Sequence, residues 1–312
     1  MLSRLAESFF WMGRYVERAE ATTRLLAEHH QLLVEDTRVP AEDGSRVLLH
    51  ALSLSAQFDG QPVASPNALA MAVLGSPDNH GTVAGAVAAA RENARAVRDA
   101  LSGDAFEALN SLHLRLSAII TGERELDPIS PGVLLHSVLE RLAAVAGTVD
   151  WTSPRDEAFT FYRLGRALER IDMTARLLAV RHDLLWPESG PATALRASGG
   201  LHAFFRGRHP LGGDEVRSFL VLDPTFPRSM LGCATSAEQA ARELEAMGSV
   251  SASGGILRTV GLLRSELEFG PIDPDPDSVD RLADYGLRAA TEAGDEVSEA
   301  FFAQTGVVVW SR

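Results

Sequence analysis

Apolar residues recur along this chain at spacings of three and four and almost nowhere in alternation. That period predicts helices and no sheet. The first run is the longest: Leu5, Phe9, Met12, Tyr15, Val16, Ala19, Leu26 and Leu33 share one side of a helix that Ser3 can cap and that reaches about Asp36. At 1.5 Å per residue it is roughly 45 Å long. Pro40, Glu42, Asp43 and Gly44 read as a loop, and a second helix over about 46–57 is stopped by Gly60-Gln61-Pro62. Further helices are expected over 66–75, 83–101, 104–121 and 131–147. Ser153-Pro154-Arg155-Asp156-Glu157 combines a cap, a proline at the first position and acids in the first turn, so another long helix starts there and runs to Trp186-Pro187. The remaining helices are expected over 193–205, 214–222, 227–247, 251–269 and 277–304, with a Gly-rich loop at 206–213 and a rigid Pro-rich linker at 271–276. Val307 to Trp310 is β-like but short and terminal. The fold class expected is all-α.

One stretch occurs twice. Gly13-Arg14-Tyr15-Val16-Glu17-Arg18-Ala19-Glu20 and its continuation to Leu33 return 152 positions later as Gly165-Arg166-Ala167-Leu168-Glu169-Arg170-Ile171-Asp172, ending at Leu185. The two 21-residue windows agree at 12 positions, where ordinary composition gives roughly one or two. Leu49-His50-Ala51 and Leu201-His202-Ala203 repeat at the same interval, and Arg95 and Arg242 at one of 147. The pattern implies an internally duplicated helical bundle with two long pseudo-symmetric helices. It is a single domain over 1–312, made of halves at about 1–152 and 153–312, since no flexible linker separates them near residue 150.

At 100° per residue, Glu17, Glu20 and Arg24 lie within about 60° of one another, and Gly13, Phe10, Ala21 and Arg14 share that face. The second window reproduces the strip with Tyr162 in place of Phe10 and Asp172 in place of Glu20. A merely solvated strip could drift between copies, so the repetition points to a network. Arginine presents a planar fork of donors suited to carboxylates. Glu17 can pair with Arg14 on its own helix and Glu20 with Arg24. If the long helices cross at Gly13 and Gly165, Glu17 meets Arg170 and Glu169 meets Arg18 instead. The candidate residues are therefore Arg14, Glu17, Arg18, Glu20, Arg24, Arg166, Glu169, Arg170, Asp172 and Arg176. They form either a buried ladder that sets the register of the bundle or a site for a carboxylate or phosphate. A metal is disfavoured, because arginines oppose a cation and the Glu-x-x-His pattern of di-iron bundles is missing. No metal or cofactor is expected.

The weaker candidates have structural readings. His30, His182, His50 and His202 recur in both halves and read as buried or capping histidines. His29 has no partner at metal spacing, Arg206, Arg208 and His209 read as loop charge, and Cys233 reads as packing. No Ser/His/Asp constellation, Walker loop, dinucleotide fingerprint or zinc spacing is visible, and the sequence identifies no catalytic residue.

Composition narrows the partners. All 29 basic residues are arginine, which excludes lysine chemistry, and the net charge of −13 argues against nucleic acid and anionic membrane. A single cysteine excludes an internal disulfide and fits a reducing compartment. No uninterrupted apolar run approaches 18 residues, and Arg4 and Glu7 break the apolar start, which reads as the first turns of a buried helix. The expected location is the cytoplasm.

The opening Leu2-Ser3-Arg4-Leu5-Ala6-Glu7-Ser8-Phe9-Phe10-Trp11-Met12-Gly13-Arg14-Tyr15-Val16-Glu17-Arg18-Ala19-Glu20 resembles the bacterial alpha-E family. So do residues 88–98 and the window from Leu164 to Leu178. That family is all-helical and named for a Glu-Arg motif, which falls here on Glu17, Arg18, Glu169 and Arg170. The resemblance covers nearly the whole chain and implies association with circularly permuted ATP-grasp proteins that look like amide- or peptide-bond-forming ligases. Transglutaminase-like peptidases are further implied partners. It implies an accessory or co-catalytic protein in amide or peptide modification. The rivals are a stand-alone enzyme with an Arg/Glu-lined pocket and a purely structural scaffold. One departure is Gly75-Ser76-Pro77-Asp78-Asn79-His80, where a Phe-Asp-Pro-like turn such as Leu222-Asp223-Pro224 is expected.

Overall fold

Two long helices, closest where Gly13 meets Tyr162 and Gly165 meets Phe10, carry the rest of the molecule. In the computed structural model, residues 3–35, 41–55, 63, 65–122, 131–179, 186, 189–248, 253–270 and 276–302 are described. They form α1 (Ser3–Glu35), α2 (Ala41–Ala51), α3 (Pro66–Leu74), α4 (Val83–Ala96), α5 (Gly103–Ile120), α6 (Pro131–Thr152) and α7 (Glu157–Ala179). There follow α8 (Gly190–Ser198), α9 (Leu201–Arg206), α10 (Gly213–Leu222), α11 (Met230–Ala246), α12 (Ser253–Phe269) and α13 (Pro276–Val297), which ends in a π-helical turn, Ser298–Phe302. Among the described residues the fold is all-α, as the apolar period requires.

α1 and α7 are the central pair. α4 and α6 pack on α1, with α5 closing that layer, and α11 and α13 pack on α7, with α12 closing the other. The buried apolar side chains of both layers form one contiguous cluster, and Phe9, Phe10, Phe161, Tyr162 and Trp186 are its largest sealed members. Aromatic contacts tie the π-helical turn into it: Phe302 lies beside Phe10, and Phe301 meets Phe161 edge-on.

Local chemistry explains the ends of the helices. Ser65, Thr82, Ser102 and Ser229 each accept a hydrogen bond from the backbone amide three residues on, satisfying a donor the first turn leaves orphaned. α7 is capped by Asp156, whose carboxylate accepts from the Phe159 amide, and not by Ser153. Other boundaries also differ from the pattern. The helix expected over 193–205 is two helices, because Gly199 adopts φ +73° and turns the chain at Gly199-Gly200. α2 lies earlier than expected, and Ser53, at φ +57°, ends its exit turn. α4 stops at Ala96, and α11 waits for Ser229 to cap it. α6 runs through Gly147 to Thr152, since Val145 and Val149 on either side are buried and outweigh the glycine's propensity. α6 is also long and apolar enough to cross a membrane by length and composition, although no single run suggested it. Its stripe Leu134, Leu135, Val138, Leu142, Val145 and Val149 lies in the core. Expectations for Pro40, 60–62, Pro187, 271–275, Val307–Trp310, His182 and Leu185 fall outside the described residues.

Candidate functional site

The crossing of α1 and α7 is made by its glycines. A Cβ placed on Gly13 would lie 2.3 Å from the Tyr162 carbonyl oxygen, and one on Gly165 would lie 2.2 Å from that of Phe10. No side chain fits at either point. Gly13 meets Tyr162 and Gly165 meets Phe10 reciprocally, and farther along Glu17, Ala21 and Leu25 share one crevice with Arg170, Met173 and Leu177, so the helices run in the same direction. This approach brings the charged strips of the two helices onto each other, as the sequence pattern suggested.

The arginines reach across the crossing and not along their own helix. Arg14 donates to Glu169 at 2.7 Å and Arg18 at 2.5 Å. In return, Arg166 donates to Glu17 at 2.9 Å and Arg170 lies 2.8 Å from it. The Glu17–Arg14 pair within one helix is not made, because the close crossing offers Arg14 a fully buried carboxylate instead. The pairs along the helix occur one turn on, Arg24 with Glu20 at 3.0 Å and Arg176 with Asp172 at 2.6 Å. Arg176 also donates to the Ser53 hydroxyl at 2.6 Å, which ties the end of the network to the turn after α2. All ten sequence-selected residues thus form ion pairs, in three groups centred on Glu17 with Glu20, on Glu169 and on Asp172.

Both central carboxylates are sealed, with Glu17 and Glu169 0% exposed. Burial alone pushes a carboxyl pKa up. Arg228, Arg170 and Arg166 around Glu17 reverse that and hold it well below the ordinary range. Arg14 and Arg18 do the same for Glu169. Arg166, half-buried, is held more basic than usual by Tyr162, Glu17 and Glu20. These are ion pairs in which both partners stay charged at neutral pH.

Sequence reasoning missed one member. Arg228 lies 3.0 Å from Glu17 and 2.6 Å from Glu20, bridging two carboxylates from the turn before α11. Ser229 closes that turn by donating to the Asp223 and Phe226 carbonyls while its oxygen caps Gly232. Thr82 does the same before α4, donating to Ser76 and Asn79 and capping Gly85. In this matched geometry the residue preceding the cap is Arg228 in one turn and Gly81 in the other. The departure noted at 75–80 therefore falls on the turn that lacks the bridging arginine. The shared Pro–x–x–x signal and the 147-residue interval were available, but they pointed to a glycine on one side.

Beside Arg228 a crevice with a volume of about 30 Å³, room for one or two waters, lies between α1, α7 and α8. Its walls are Glu17, Arg170 and Arg228 with Ser198, Thr174 and apolar side chains such as Leu25 and Met173.

The other candidates lie elsewhere. His30 is buried and bonded to Asn67 at 3.1 Å, whereas His50 and His202 are exposed. Arg206, Arg208 and His209 are exposed. His29 is sealed and accepts from the Trp186 indole at 3.1 Å, and burial pushes its pKa down to about 4. Cys233 is buried, with its thiol pushed up to about 12. Among the described residues no His, Cys, Asp and Glu side chains group in a way that could hold a metal.

The family model Alpha-E, described as a predicted alpha-helical domain with a conserved ER motif, matches residues 1–302. Similar curated proteins include an uncharacterized protein of Mycobacterium bovis and two of Mycobacterium tuberculosis, from strains CDC 1551 and H37Rv. Each is 26% identical over 313 residues, covering 92% of this chain and 34% of the relative. The chain thus spans about a third of the length of the curated relatives it matches. No solved structure matches.

Proposed function

The chain belongs to the Alpha-E family, and on that footing we propose that it is a cytoplasmic helical accessory of an ATP-grasp ligase-like protein. It supports that partner, as a structural or co-catalytic subunit, in ATP-dependent amide or peptide modification. The observation that carries this reading is the state of the Glu-Arg motif. Glu17 and Glu169 are sealed and locked to arginines from the opposite helix. A carboxylate held ionised at zero exposure cannot reach a substrate, and its depressed pKa makes it a poor base near neutrality. The motif therefore serves to fix the crossing, and the bond-forming chemistry belongs to a partner. The length of the relatives supports the same view, since this unit makes up only a third of them. The stand-alone enzyme reading would need Glu17 or Glu169 raised in pKa and open, the reverse of what surrounds them. A transglutaminase-like peptidase is a further partner in this proposal.

Co-expression with an ATP-grasp ligase-like protein tests it. The expected result is co-purification and a change in ligase turnover when the helical chain is added. Neither association nor an effect on turnover would end this reading.

A further inference from the structure

The Glu17 end of the crossing carries more positive charge than its carboxylates neutralise. Arg24, Arg166, Arg170 and Arg228 converge on Glu17 and Glu20, two acids. At the other end, Arg14, Arg18 and Arg176 meet Glu169 and Asp172. The extra guanidinium comes from Arg228, in the turn whose counterpart has Gly81. A half-buried surplus cation is costly unless an anion or water completes it. It lies where the crevice opens: Arg170 and Arg228 are 22% and 17% exposed and both line it. Arg170 places its Nε 2.8 Å from a Glu17 oxygen without hydrogen-bond geometry, which leaves both buried atoms without a hydrogen-bond partner. Glu17 lines the same crevice, so its carboxylate stands beside both arginines.

We infer that this crevice is an anion subsite that takes the terminal carboxylate of an aliphatic acid, with Arg170 and Arg228 as its donors. The lining decides the class. Ser198 and Thr174 add hydroxyls beside the arginines, and Leu25, Met173 and Ala197 supply an apolar wall for a hydrocarbon stem. At about 30 Å³ the crevice takes a small polar head group and not a whole ligand. The planar fork of arginine also matches a carboxylate edge. A short acid enters head first, and the body of a longer ligand stays outside. The inference is independent of which protein the chain partners.

Titration of the ¹⁵N-labelled full chain with sodium propionate, at ionic strength held constant with sodium chloride, tests it. The expected result is saturable amide shifts at Thr174, Ala197 and Ser198. Arg228→Gln should weaken the fitted affinity about tenfold or more, the loss of a charge-assisted hydrogen bond, with helical circular dichroism retained. Ala197→Leu, which fills the apolar wall without touching an arginine, should remove the shifts and decides the matter if Arg228→Gln does not fold. Shifts that fail to saturate, that chloride reproduces, or that survive Ala197→Leu would overturn the site. Inorganic phosphate binding at the same amides as tightly as propionate would overturn the carboxylate assignment.

Discussion

Gly13 rests directly on the carbonyl of Tyr162, so closely that a methyl group there would lie 2.3 Å from the oxygen. The same relation holds between Gly165 and Phe10. The two contacts set the distance at which α1 and α7 cross, and that distance lets each arginine of one helix reach the glutamate of the other.

Gly13→Ala and Gly165→Ala should therefore each destabilise the protein by about 1–3 kcal/mol, the cost of overpacking. Helix propensity by itself would give a gain of about 1 kcal/mol, so the sign separates the two effects. Urea unfolding followed by circular dichroism measures it. A more stable alanine variant would show that the helices are not in contact there.

Glu169→Gln and Glu17→Gln should cost roughly 3–5 kcal/mol, the penalty for stranding buried charge. Glu17→Gln should be the worse, because Arg166, Arg170 and Arg228 each lose a carboxylate, against Arg14 and Arg18 for Glu169. Both carboxyls have folded pKa values below the ordinary 4.5. Their contribution is present above the unfolded pKa and is lost as pH falls below it. The variants should accordingly show a shallower fall in stability below about pH 4.5 than the parent. Equal acid slopes in parent and variants would show that neither carboxyl is held ionised.

Much of this junction was legible in the sequence. The glycines recurred at equal places in two charged strips, and a mid-helix glycine within a repeated polar face has few explanations other than close approach. Arg228 was not legible, because it lies outside both windows and takes its place from the capped turn around Ser229. In the fold, the period located the helices but not their breaks. Apolar positions continue past Leu195 to Phe204 as if on one helix, and only the positive φ of Gly199 divides them. At Gly147 the error was the opposite, since burial on either side carried α6 through. Asp156 displaced Ser153 as the cap of α7 because helix start signals crowd that segment, and the pattern does not rank them.

His29 gives a separate window in pH. Burial lowers its pKa from 6.5 to about 4, so the folded state favours the neutral ring, which accepts the Trp186 indole proton. A depressed pKa means that its contribution is complete above about 6.5 and is lost as pH falls toward 4. The size is roughly 3 kcal/mol at most. His29→Gln, which keeps an acceptor for Trp186, should flatten the dependence of stability on pH between 6.5 and 4. An unchanged slope would mean that His29 takes a proton freely when folded.

Cys233 should be unreactive in the native protein. Its thiol is buried and pushed up to about 12, so little thiolate exists at pH 8. Ellman's reagent should report no thiol under native conditions and one thiol in denaturant. Rapid native labelling would place Cys233 at the surface.

The central claim is that Glu169 and Arg18 are coupled across the crossing of α1 and α7 at 2.5 Å. A double-mutant cycle of Glu169→Gln and Arg18→Gln, measured by urea unfolding, tests this directly. The expected interaction energy is about 1–3 kcal/mol, with Arg18→Gln much milder once Glu169 is already replaced. Costs that add to within about 0.5 kcal/mol would contradict it, because independent residues do not hold a crossing together.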